Sequence, residues 1–336
     1  MGKILTISVA AYNAEKDIEK CLESMLQTDI ANDLEIIVVN DGSKDNTSEV
    51  VRKYTEKYPD IVQLIDKENG GHGSTINTSI CRATGKYFKI VDSDDWVEKA
   101  GIEDLVRNLK DADVDLALNP YYVVDATTGL KSELVKPYCD EQILGTVQSV
   151  CQSAGISIAM HALTFKTDVI KKMGPVISEK CFYVDMEYTI FAVAYVKRYI
   201  CFDLPVYCYL LGTQTQSMNI QNLIKRRDQH LHVTQKVIDF YEKNKENMDP
   251  EIRSVVLLRI RYAASGQYKI YFNMEPCESK REIVEFDKWL KSTAPDVYPI
   301  AVDRFSAVIH FCRLVHFSLY GIIVKSLKVL HLAPPV

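Results

Sequence analysis

Apolar and polar positions along the first hundred residues switch between two periods. KILTISVAA (3–11) reads as a strand. AEKDIEKCLESMLQ (14–27) follows, with Ile18, Leu22, Met25 and Leu26 at helical spacing. LEIIVVNDGS (34–43) is a continuous apolar run closed by turn residues, as expected of a parallel strand buried on both faces. A second helix is predicted in KDNTSEVVRKYTEKY (44–58), a strand in IVQLIDKE (61–68), a third helix in STINTSICRAT (74–84) and a fourth strand in YFKIVD (87–92). Such alternation predicts an α/β fold with a mostly parallel sheet and helices on both faces.

Further along, VDLALNPYYVVD (114–125) and RYICFDLPVYCYLLG (198–212) read as strands with helices between them. No Pro/Gly/Ser linker precedes them, so they are expected to join the same sheet. Beyond residue 218 the pattern becomes helical, near 220–245, 250–273, 278–291 and 301–331. On a helical wheel of the last segment Val308, Val315, Leu319, Ile322 and Val329 share one face, with Arg304, His310, Arg313, Lys325 and Lys328 mostly opposite. That face predicts either packing on the domain or peripheral contact with a membrane.

In open parallel sheets, ligands bind beyond the carboxyl ends of the strands. The polar clusters of the first half fall there: Ala11-Tyr12-Asn13, Asn40-Asp41-Gly42-Ser43, Asn69-Gly70-Gly71-His72-Gly73 and Asp92-Ser93-Asp94-Asp95. NGGHGS is not a dinucleotide fingerprint, because Ile76 stands where the third glycine belongs, and no Lys-Ser or Lys-Thr makes it a Walker loop. It reads as a flexible turn or as a place of close backbone approach to a ligand. The carboxylates at 92, 94 and 95 repel unless a cation joins them. A D-x-D at a strand end offers oxygen ligands on one side, which suits Mg²⁺ or Mn²⁺ bridging to a diphosphate.

Composition changes this picture little. The chain has 336 residues, 47% hydrophobic and 25% charged, with a formal net charge of −5, which gives no reason to expect nucleic-acid binding. Nine cysteines form no CxxC pair and read as reduced thiols of a cytoplasmic protein. The start carries no signal-peptide pattern, and no uncharged apolar run of membrane-spanning length occurs.

SVAAYNAEKDIEKCLESML (8–26), LEIIVVNDGSKDNTSEVV (34–51) and NGGHGSTINTSICRATGKYFKIVDSDDWV (69–97) together resemble the N-terminal half of a family 2 glycosyltransferase with a GT-A fold. A weaker echo continues through FYVDMEYTIFAV (182–193) and PVYCYLLGTQTQSM (205–218). The resemblance implies a GT-A catalytic domain at 1–218, divided into a nucleotide-binding half (1–100) and an acceptor half (101–218), with a helical region at 219–336. It implies inverting transfer of a sugar from a nucleotide-diphosphate donor, a UDP-sugar before a GDP-sugar, to the hydroxyl of a saccharide or lipid-linked acceptor, in cell-surface polysaccharide or glycolipid synthesis. Ala11, Tyr12, Asn13, Asp41, Gly70, Gly71 and Asp92 then line the nucleotide. Asp94 holds the Mn²⁺ or Mg²⁺, with Asp92 and Asp95 as neighbouring candidates. Asp185 is the general base, with Glu187 as alternative, and Ser217 faces the donor.

Two departures stand out. Ser74-Thr75-Ile76-Asn77 lacks the arginine many relatives carry, and Val184 precedes Asp185 where a glutamate is usual. A non-catalytic sugar-nucleotide-binding subunit is the main alternative. A nucleotidyltransferase requires a Gly-rich basic loop after the first strand, and AAYNAEKD is not one.

Overall fold

The computed structural model describes residues 2–136, 144–145, 159–212, 219–301 and 306–330. The chain divides into two compact units, Met1–Thr213 and Gln214–Val336.

In the first unit the elements run β1 (Leu5–Ala11), α1 (Ile18–Leu26), β2 (Leu34–Asn40), α2 (Thr47–Lys57), β3 (Val62–Asp66), α3 (His72–Arg82) and β4 (Tyr87–Asp92). They continue with β5 (Trp96–Val97), α4 (Lys99–Asp111), β6 (Leu116–Leu118), β7 (Tyr121–Asp125), β8 (Lys131–Val135) and β9 (Leu144–Gly145). β10 (Leu163–Lys166), α5 (Thr167–Met173), α6 (Asp185–Val193), β11 (Tyr199–Cys201) and β12 (Tyr207–Leu211) complete it. The main sheet has the order β3-β2-β1-β4-β10-β6-β11-β9. β1 pairs in parallel with both β2 and β4, and β2 in parallel with β3, so four strand ends point one way. β2 is buried at every position and β1 at all but one, which explains their near-continuous apolar runs.

The middle of the chain departs from the single-sheet expectation. Each of its two apolar runs is divided, at Asn119-Pro120 and ahead of Val206, into one strand of the main sheet and one of a second sheet, β5-β12-β7-β8. Pro120 and Pro205 supply the breaks, since a proline has no N–H for a ladder. β6 and β11 thus extend the main sheet, while β7 and β12 pair in parallel with each other. The close packing at this second crossing is visible at Gly101, where an added Cβ would lie 1.9 Å from the Pro205 carbonyl oxygen.

The second unit is helical among its described residues: α7 (Ile220–Lys225), α8 (Arg227–Asn244), α9 (Pro250–Asn273), α10 (Pro276–Thr293), α11 (Ser306–Leu314) and α12 (Tyr320–Val329). Val233, Val237 and Tyr241 of α8 and Ile260, Ala264 and Tyr268 of α9 are buried, as are Ile283 and Leu290 of α10. Arg313 donates to Asp287 Oδ1 at 2.8 Å and to the Tyr268 hydroxyl at 3.0 Å, tying α11 to this core.

The single helix expected over 301–331 is broken. The Phe317 N–H donates to Cys312 O and the His316 N–H to Arg313 O, with His316 at φ 51° and Phe317 at φ 55°. This is a helix-ending pair of bonds with a left-handed residue after the cap. The expected apolar face is also not the buried one: Ile309, Cys312, Phe317, Tyr320 and Val324 are buried, whereas Leu319, Ile322 and Val329 are exposed.

Candidate active site

Asp41 follows β2 and is only 3% exposed. Its Oδ1 accepts from Gly70 N–H (2.9 Å) and Lys67 Nζ (2.9 Å), and its Oδ2 from Gly71 N–H (2.7 Å). The glycine loop is therefore folded onto a carboxylate, and the Gly70 and Gly71 donors are committed within the protein. Gly73 answers a second demand: a Cβ there would meet the Ser178 carbonyl oxygen at 2.0 Å. The group that approaches Gly71 and Gly73 closely is the chain's own segment 177–181, where the glycine stretch had suggested a ligand. Lys67, which the sequence reading did not single out, supplies the basic group on this side.

Ala11 is buried at the end of β1, while Tyr12 is 52% exposed. Asn13 adopts φ 51° and bridges to the next turn, its N–H donating to Ser43 Oγ (2.9 Å) and its Oδ1 accepting from Lys44 N–H (2.8 Å). Tyr12 is therefore the member of this trio with a free face. It lines a cavity of about 580 Å³ with Gly42, Lys67 and Asn69.

At the end of β4 the three carboxylates have different surroundings. Asp95 is buried, and both its oxygens are occupied: Oδ2 accepts from the Tyr207 hydroxyl (2.6 Å) and Oδ1 from Leu210 N–H (2.7 Å). The Tyr207 oxygen in turn accepts from Asp92 N–H (3.1 Å), so β12 fixes the carboxylate turn. Burial, and after it the Asp92 charge, pushes the Asp95 carboxyl well above the usual range. Asp94 stands at the exposed lip, yet the surrounding protein and then Asp92 raise it to about 6. His72 Nε2 lies 3.4 Å from Asp92 Oδ1.

His161, absent from the sequence expectations, completes the cluster. Ligand atoms of Asp92, Asp95 and His161 all lie within 4.8 Å of one another. The ring stacks on Tyr209 (centroids 4.0 Å apart) and meets Tyr207 edge-on, and its Nδ1 is buried with no hydrogen-bond partner among the described residues. Burial lowers its pKa to about 4, so it is a neutral imidazole. Carboxylate oxygens suit Mn²⁺ or Mg²⁺, and a neutral imidazole beside them favours a transition metal such as Mn²⁺ over Mg²⁺. Asp92 and Asp94 keep oxygens available for a cation, whereas Asp95 has committed both.

Asp185, the first residue of α6, is exposed, and its charge reaches the Tyr209 hydroxyl together with those of Asp95, Asp92 and Asp94. Glu187 is fully buried and accepts the Ser178 N–H at 2.7 Å. Ser217 lies outside the described residues.

Behind the site, Lys89 of β4 is fully buried and donates to the carbonyls of His161 (2.8 Å) and Leu163 (3.2 Å). Desolvation pushes its pKa down to about 7. A lysine of depressed pKa carries an unfavourable charging term that is fully present below about pH 7 and is relieved as pH rises toward the unfolded value. From pH 7 to 9 this group should add about 2 kcal/mol of stability. Urea unfolding at the two pH values should show that gain in the parent and its loss in Lys89→Met. An equal slope in both proteins would mean that Lys89 keeps its proton in the folded state across this range.

A mostly parallel sheet with its polar clusters gathered at the strand ends, joined by antiparallel strands, defines the GT-A class of nucleotide-sugar fold. The structure is similar to S. aureus TarS 1–349, solved in complex with UDP-GlcNAc, with a TM-score of 0.69 and 18% identity over 97% of this chain and 91% of that one. The model described as Glycosyl transferase family 2 matches residues 6–157, so this stretch of the chain is a family 2 glycosyltransferase domain. Glycosyltransferase GlyA of Streptococcus pneumoniae serotype 4 is 35% identical over 126 residues, 38% of this chain and 18% of that protein. Chondroitin synthase of Pasteurella multocida is 38% identical over 100 residues, 30% of this chain and 10% of that protein. The matched stretch thus spans less than a fifth of either relative.

Proposed function

We propose that the chain is an inverting glycosyltransferase that moves a sugar from a UDP-sugar to a hydroxyl of a saccharide or lipid-linked saccharide, in polysaccharide or glycolipid synthesis at the cytoplasmic face of a membrane. Residues 1–218 form its catalytic domain, and 219–336 its helical region. The observation that carries the reading is the gathering of Asp92, Asp95 and His161 ligand atoms within 4.8 Å of one another at the end of β4, with Asp94 exposed beside them. The family 2 domain, the TarS-like fold and the open face of Tyr12 beside the Asp41 loop support it.

In this mechanism Tyr12 stacks on the base, and Asp41 with Lys67 fixes the loop at its edge. Asp185 accepts the proton of the acceptor hydroxyl as its oxygen bonds to the anomeric carbon and the bond from that carbon to the diphosphate breaks. Asp94 and Asp92 would hold Mn²⁺ or Mg²⁺, with the His161 imidazole beside them. Such an ion supplies positive charge opposite the departing diphosphate. Glu187 is a poor alternative base, since it is buried and bound to Ser178 N–H.

Hydrolysis of UDP-sugars with and without Mn²⁺ tests the reading. Slow, metal-dependent release of UDP is expected, whereas binding without any turnover would leave a sugar-nucleotide-binding subunit. Asp41→Ala has a separate consequence. It strips the acceptor from Gly70, Gly71 and Lys67, so folding stability should fall by about 3 kcal/mol. UDP binding, read by calorimetry, should weaken by about 1–3 kcal/mol. Unchanged UDP affinity in a folded variant would remove the Asp41 loop from the nucleotide site.

A further inference from the structure

Six of the thirteen large apolar side chains that stand exposed among the described residues fall within one stretch of twenty: Phe311, Leu314, Leu319, Ile322, Val329 and Leu330. They are not scattered. The solvent side of α11 consists of Ala307, His310, Phe311 and Leu314, and that of α12 of Ile322, Lys325, Ser326 and Val329. Each set is spaced i, i+3, i+4, i+7, which is one face of a helix. Both helices also bury an opposite face, with Ile309 and Cys312 in α11 and Tyr320 and Val324 in α12, so they are anchored in the helical unit and apolar on the outside as well. The Tyr320 hydroxyl fixes this orientation by donating to the Tyr271 carbonyl at 2.8 Å.

Charge decides what covers the outer face. From Phe305 to Val336 the sequence has no Asp or Glu, while it has Arg313, Lys325 and Lys328. Arg313 is held by Asp287, and Lys328 donates to Glu275 at the edge, which leaves Lys325 exposed among the apolar side chains. A second copy docked on this face would bring another lysine and no carboxylate from these helices to meet it. A surface of anionic lipid headgroups over acyl chains matches both the cation and the apolar side chains. No described helix is long and apolar enough to cross a membrane, so contact would be interfacial.

We infer that the outer face of α11 and α12 docks on an anionic membrane surface, with Leu314, Ile322 and Val329 inserted at the headgroup boundary and Lys325 against lipid phosphate. The inference rests on this face alone and stands or falls independently of the transferase reading.

The test is sedimentation of the full chain with vesicles of phosphatidylglycerol and phosphatidylcholine, beside vesicles of phosphatidylcholine only. The parent should pellet with the anionic vesicles in low salt and release in high salt. The triple variant Leu314→Ser, Ile322→Ser, Val329→Ser should lose at least about tenfold in partitioning, because each site lies outside the core. Removing one lipid-facing lysine charge is worth about fivefold, so Lys325→Glu should lose at least that much. UDP-sugar hydrolysis in solution should be unchanged in both variants. Failure of the parent to pellet with anionic vesicles would overturn the inference, as would variants that partition like the parent. Self-association in velocity sedimentation that the triple variant abolishes would assign the face to a second copy and overturn it as well.

Discussion

Asp185→Asn should lower the rate of sugar transfer by about 10²–10⁴-fold, the scale of general-base help, while donor affinity stays within about twofold. The substitution keeps volume and removes only the proton acceptor. Asp185 is exposed at the first position of α6, where an acceptor hydroxyl can reach it. A loss in kcat with little change in the donor KM is the signature of a group acting in the chemical step. Glu187→Gln should behave differently. Its carboxylate accepts the Ser178 N–H, and the Ser178 carbonyl packs on Gly73, so this variant should show lowered stability before any specific loss in kcat. Turnover within a few-fold of the parent in Asp185→Asn would mean that the base lies elsewhere.

The first hundred residues were legible because β1, β2 and β4 are buried on both faces while α1 and α2 bury one, so periodicity carries the burial pattern directly. The strand-end clusters were legible for the same reason, since polar residues closing an apolar run have few other places to be. The middle of the chain was not, because a proline inside an apolar run marks a break but not a change of sheet. Tyr207 and His161 were invisible for a related reason: aromatic residues in apolar surroundings look like core, and their polar atoms reach Asp95 and the carboxylate cluster only through tertiary pairing. Lys89 passed unnoticed inside the predicted strand YFKIVD, because only tertiary pairing shows that it is fully buried and caps two carbonyls. The break after Leu314 gave no sequence signal, because the left-handed position after the cap is His316 and not a glycine.

Asp94→Asn should abolish metal-dependent hydrolysis and transfer, with Mn²⁺ affinity falling at least about tenfold, because one of two available carboxylates is gone. The protein should remain folded. Asp94 has its folded pKa raised to about 6, so with no metal bound its ionisation opposes folding, and this penalty grows as pH rises from the ordinary carboxylate value to about 6. The asparagine variant lacks that group, so its metal-free stability at pH 7 should equal or exceed the parent's. Mn²⁺ should raise the melting temperature of the parent and not of the variant. Asp95→Ala should show the reverse pattern. Its carboxylate is spent on the Tyr207 hydroxyl and Leu210 N–H, so removal leaves two buried donors without an acceptor and costs about 2–4 kcal/mol of stability. Thermal melts of both variants with and without Mn²⁺ separate the roles. A metal shift that survives in Asp94→Asn, or one lost only in Asp95→Ala, would move the cation from the lip of the turn to the buried carboxylate beneath it.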